Sequence, residues 1–160
     1  MKKYMFDTNC FYQIKFIEVD DINKFKILIT KIQEAEIIRQ NFKDKNRKER
    51  FLSICKLVKT NQSDLKYFVI DHPVAGILDS PTLELDGGKI ALQFLIALNA
   101  YRKEKNNLDD ALIAENAIQN NAIFVTNEEK LRDVVNREYP ARAISLHQFK
   151  EENGIKIQAY

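Results

Sequence analysis

The chain has 160 residues, 45% hydrophobic and 30% charged, enough to bury one substantial core and short for two, so a single domain is expected, with a core over about 1–148 and a C-terminal tail over 149–160. No run approaches the roughly 18 uncharged apolar residues of a membrane span, and Met1-Lys2-Lys3-Tyr4-Met5-Phe6-Asp7 reaches an acid too soon for a signal peptide, so a cytoplasmic protein with no membrane contact is expected. Cys10 and Cys55 lack disulfide or zinc-ligand spacing and read as reduced apolar fillers, and a net charge of +2 argues for a nucleic-acid partner only if basic groups cluster locally.

Lys3-Tyr4-Met5-Phe6 is a short apolar run stopped by Asp7-Thr8-Asn9, as a strand buried on both faces ends at a loop. Lys26-Ile27-Leu28-Ile29 repeats the pattern, and Thr30-Lys31-Ile32-Gln33 fits a capping box that opens a helix. Between Asn46 and Thr60, Phe51, Ile54, Cys55 and Val58 form the stripe of a surface helix. The densest basic run, with Lys43, Lys45, Arg47, Lys48 and Arg50, leads into it; it is either a solvated helix face or a weak RNA-binding patch.

Residues 67–85 mix β-branched residues with Pro73, Gly76 and Pro81 and yield no firm element. A strongly apolar helix is expected over Ile90–Tyr101, and another from Asn107 to about Asn120. A buried strand follows over Ala122–Thr126, then a helix over Lys130–Val135 and a last strand over Ala143–Leu146. Strands alternating with helices predict an α/β fold, three layers deep, with a mainly parallel central sheet between helices.

In parallel sheets ligands gather outside the carboxyl ends of the strands, so acids just past a strand carry information. Asp7 follows the first strand, and Glu128 lies two residues past Thr126. The plainer readings are a turn-forming Asp and a Glu that caps the next helix. On a helical wheel Asp110 falls with Ile113, Ala114 and Ala117 on the inward face, whereas Asp109 shares a polar face with Asn116 and Asn120. A carboxylate at an inward edge needs a compensating helix dipole or cation, unless it merely completes a capping box with Asn107. Glu36 projects one turn after Ile32 from the same face. His72 and His147 fit no site.

Taken together, Asp7-Thr8-Asn9, Thr30-x-x-Gln33-x-x-Glu36, Asp110-Ala111-Leu112-Ile113-Ala114 and Val125-Thr126-Asn127-Glu128 resemble, in order and spacing over nearly the whole chain, the PIN-domain nucleases. The resemblance implies hydrolysis of RNA phosphodiester bonds with Mg²⁺ or Mn²⁺. It makes Asp7, Glu36, Asp110 and Glu128 the catalytic and metal-binding acids, with Asn9 and Thr126 as polar supports. Many relatives are toxins of bacterial toxin-antitoxin pairs, so an antitoxin protein and a homodimer are implied partners. The family has aspartate where this chain has Glu128, which leaves Glu129 as a substitute acid.

Four gathered carboxylates repel by roughly 4 kcal/mol per pair at about 4 Å and an effective dielectric near 20, a cost that hard divalent cations with oxygen ligands relieve. A phosphatase of the haloacid-dehalogenase type is disfavoured because Asn9 stands where a second acid is needed, and Gly87-Gly88 lacks the phosphate-loop pattern. The remaining alternative is a catalytically degenerate PIN-like module that binds RNA or a protein.

Overall fold

The computed structural model describes residues 1–11, 24–30, 32–33, 35–36, 49, 89–101 and 107–155. The basic run, residues 67–85, Cys55 and all of the expected Asn46–Thr60 helix except Glu49 lie outside them.

Among the described residues four strands, β1 (Lys3–Phe6), β2 (Lys26–Leu28), β3 (Ile123–Val125) and β4 (Ala143–Ile144), form one sheet in the order β2-β1-β3-β4. Every pairing is parallel, with Tyr4 opposite Ile27 and Ile123, and Phe124 opposite Ala143. The helices with described bounds are α1 (Thr8–Phe11), α2 (Lys89–Tyr101), α3 (Asn107–Gln119), α4 (Glu129–Glu138) and α5 (Leu146–Glu152). Residues 32, 33, 35 and 36 are also helical.

Alternation along the strands sorts the apolar side chains into two cores. Met5, Leu28, Phe124 and Ala143 face α2, α3 and α4, packing on Phe94, Leu98, Ile113 and Val134 among others. Tyr4, Phe6, Ile27 and Val125 face the opposite way onto Leu146 and Phe149 of α5, Phe25 and Ile155. Helices therefore cover both faces of a parallel sheet, the α/β layering expected from the sequence.

Two regions depart from expectation, the C-terminal segment and α3. The last strand stops at Ile144, because Ser145 accepts a hydrogen bond from the Gln148 backbone amide while the Gln148 side chain accepts from the Ser145 amide, a complete capping box that starts α5. What reads as a tail from residue 149 is core: Phe149 is 0% exposed and meets the rings of Tyr4, Phe6 and Phe25 edge-on with centroids 4.8, 4.9 and 5.1 Å away, and Ile155 is 7% exposed. The second correction concerns α3, which is buried all round from Ala111 to Ala117. Asn116, expected on a polar face, is buried and donates to the Leu112 carbonyl at 2.8 Å. Glu115 is buried too, its Oε1 accepting from Gln119 Nε2 at 3.2 Å.

At β4 the strand's unshared side is closed by a side chain. Asn136 of α4 donates to the Ala143 carbonyl and accepts from the Ala143 amide, both at 2.8 Å, replacing the ladder a further strand would make.

Candidate active site at the sheet crevice

The strand order fixes where a crevice must open. From β1 the chain passes to β2 on one side, then returns to build β3 and β4 on the other, so the connections diverge between the carboxyl ends of β1 and β3. At such a switch point the loops part and leave room for a ligand. The residues that follow the paired ends Phe6 and Val125 are Asp7 and Thr126.

Asp7 is 2% exposed. Its amide donates to the Val125 carbonyl at 2.8 Å, extending the ladder by one bond. Thr126 Oγ1, fully buried, donates to Asp7 Oδ2 at 2.9 Å and itself accepts the Glu128 amide at 3.1 Å. The Asn9 backbone amide donates to Asp7 Oδ1 at 3.4 Å, while the Asn9 side chain is exposed, so the support expected from Asn9 comes from its main chain. Burial raises the carboxyl pKa of Asp7 above its ordinary 3.8; the hydrogen bond from Thr126 opposes the rise and the charge of Glu128 adds to it. That last effect means the carboxylates of Asp7 and Glu128 share one electrostatic neighbourhood.

Glu128 occupies the cap position of α4, yet its side chain makes no capping bond, so the plainer reading of this residue as a helix cap does not describe its carboxylate. It is half-buried, whereas Glu129 in the first turn is exposed. Glu36 is half-buried and accepts from Thr8 Oγ1, the residue after Asp7. Its helix is held in place by Gln33. That amide is fully buried; its Oε1 accepts from the Thr30 amide at 2.7 Å and from Thr30 Oγ1 at 3.0 Å, and its Nε2 donates to the Phe6 carbonyl at the end of β1. The capping box legible in the sequence is thus also a clamp that sets Glu36 against the Asp7 loop.

Asp110 lies half-buried in the first turn of α3. The far end of that helix is at the amino edge of the sheet, where Lys3 Nζ donates to the Asn120 carbonyl at 3.5 Å. Its 13 residues span about 20 Å. Asn107 is itself inside the helix and donates to Asn99 Oδ1 of α2 at 2.8 Å. Contacts therefore join Asp7, Thr8, Glu36, Thr126 and Glu128. Among the described residues no group of three or more His, Cys, Asp and Glu side chains is disposed to hold a metal ion. The donor chemistry that is present, the neighbouring carboxylates of Asp7 and Glu128, fits a hard cation that keeps several waters and takes one or two carboxylates.

Two residues at the carboxyl edge of the sheet were not legible as site residues. Gln33 is one. Arg132 is the other: half-buried one turn into α4, it donates from Nη1 to the Thr126 carbonyl at 2.7 Å. His147 is exposed on α5 and lies 3.3 Å from Glu151. Lys43, Lys45, Arg47, Lys48, Arg50 and His72 lie outside the described residues. Comparison of the chain with protein-family models, with curated proteins and with solved structures gives no match in any of the three.

Proposed function

We propose that the protein is a metal-dependent endoribonuclease of the PIN type that hydrolyses RNA phosphodiester bonds at this crevice. The observation that carries the reading is Asp7, a buried carboxylate at the switch point, hydrogen-bonded by Thr126 and within reach of the charge of Glu128. A buried acid whose charged form is penalised by burial and by a second acid stores a cost that a cation repays, and active sites are where such perturbations collect. Asp7 and Glu128 would hold Mg²⁺ or Mn²⁺, with Asp110 and Glu36 completing the acidic edge and Glu129 an outlying substitute. When bound, the ion would supply a nucleophilic water at neutral pH and stabilise the leaving oxygen.

The chain's own groups have simpler tasks. Thr126 fixes the rotamer of Asp7 and, by accepting the Glu128 amide, fixes the backbone that carries the second acid. Thr8 and Gln33 hold Glu36 beside the loop. As a cytoplasmic RNA-cleaving protein it fits the toxin role, with an antitoxin that would close an acidic crevice through a basic side chain. No described helix is long and apolar enough to cross a membrane.

The test incubates purified protein with mixed RNAs, with Mn²⁺ or with chelator, beside Asp7→Asn and Asp110→Asn. Cleavage that needs Mn²⁺ and disappears in both variants is expected. Absence of cleavage by the wild-type protein would leave the degenerate RNA- or protein-binding module.

A further inference from the structure

Arg132 lies one turn from Glu128 and pairs with no acid among the described residues. Its side chain is half-buried, and its one hydrogen bond among the described residues goes to a main-chain oxygen, the Thr126 carbonyl at 2.7 Å. The ion pairs found among the described residues are Lys2 with Glu152, Arg137 with Glu138 and His147 with Glu151; none involves Arg132. Its position is nonetheless specific. The Arg132 amide donates to the Glu128 carbonyl at 3.0 Å, so the residue stands directly one turn beyond that acid. Burial chiefly raises the pKa of the nearby Cys10 thiol; the charge of Asp7 and, more weakly, that of Glu128 add to the rise, while the Asn127 amide and the Arg132 guanidinium oppose it. The Arg132 guanidinium therefore stands against the carboxyl end of β3, beside the residue that hydrogen-bonds Asp7.

Guanidinium carries five N–H donors in a rigid fork, and one nitrogen tied to a carbonyl leaves the others without a partner among the described residues. An anionic substrate entering an acidic crevice needs such a positive group, because carboxylates repel phosphate. A planar fork matches two phosphate oxygens better than an ammonium does. Resting on the proposed function above, we infer that Arg132 is a substrate-binding residue that grips the RNA phosphate next to the acids, with the Thr126 carbonyl acting as its stay.

Arg132→Gln tests this, since the amide can still donate to the Thr126 carbonyl while the charge and fork are lost. With RNA cleavage followed in Mn²⁺, KM for the Gln variant should rise about 10- to 100-fold, the range of a lost charge-assisted hydrogen bond. The slope of log affinity against log salt should shrink by about 0.7, one phosphate contact on a single strand. Arg132→Lys, which keeps the charge, should keep the slope and show a smaller rise in KM, and it serves alone if the Gln variant does not fold. Wild-type cleavage with KM and salt slope unchanged in the Gln variant, or a Lys variant identical to wild type, would overturn the role of Arg132 and leave the nuclease standing. A wild-type protein that cleaves no RNA would overturn both.

Discussion

Asp7→Asn keeps the shape of a buried side chain and removes its charge, so the opposing terms can be set against each other. The carboxylate accepts from Thr126 Oγ1 at 2.9 Å and, at a weaker 3.4 Å, from the Asn9 amide. A bond to a charged acceptor contributes about 1.5–3 kcal/mol and a neutral one about 0.5–1.5. The Asn carbonyl keeps one partner, and its NH₂ must face a Thr126 hydroxyl already accepting the Glu128 amide, a loss of about 1–2 kcal/mol. Relief from burying a charge beside Glu128 opposes that loss, so the net change near pH 7 should be smaller than the hydrogen-bond loss alone. The pH dependence gives the sharper signature. Because the folded carboxyl titrates above 3.8, between the unfolded and folded pKa values the native state holds a proton that the unfolded state has released, and wild-type stability falls as pH rises across that window. The Asn variant lacks this term, so its stability relative to wild type should climb from acid pH and then level off. Urea unfolding in chelator at stepped pH measures it. A difference that is flat, or that declines as pH rises, would refute the assignment of Asp7 as a burial-penalised carboxylate.

Thr126→Val removes the donor to Asp7 and the acceptor of the Glu128 amide, and should lower RNA cleavage about 10- to 100-fold through the positioning of the acids; unchanged rates would detach Thr126 from the site. Phe149→Ala, at a fully buried residue ringed by Tyr4, Phe6 and Phe25, should cost about 3–5 kcal/mol in urea unfolding, and truncation after 148 should prevent folding. The Cys10 thiol, pushed from 9.0 up to about 12 chiefly by burial, should carry about a thousandfold less thiolate at pH 8 than an ordinary cysteine. In a Cys55→Ser background, labelling by a thiol reagent should accelerate sharply on unfolding. Gln33→Leu orphans the Phe6 carbonyl and the Thr30 amide, and should destabilise by about 2–4 kcal/mol while loosening Glu36.

The layering was legible because each strand is a short apolar run bounded by polar residues, and because α2 and α3 are long enough to declare themselves. Asp7 and Glu128 were legible for the same reason: a strand's end can be read, and the acid after it is placed by topology. The tail was not. Ser145 and Gln148 form a capping box, but a seven-residue helix offers too little periodicity to outweigh the apolar run before it, and only the aromatic pocket shows why Phe149 is inside. Asn116 misled because α3 is enclosed on every side from Ala111 to Ala117, where a polar residue no longer marks a surface. Arg132 and the Gln33 clamp depend on contacts to backbone carbonyls, which carry no side-chain signature in sequence.

Titration of Mn²⁺ into metal-free wild-type protein and into Asp7→Asn, followed by calorimetry, addresses the acidic crevice most directly. Saturable binding by the wild type, weakened at least tenfold in the variant, is the expected result. Equal affinity in both proteins, or no binding by either, would contradict a cation site built on Asp7.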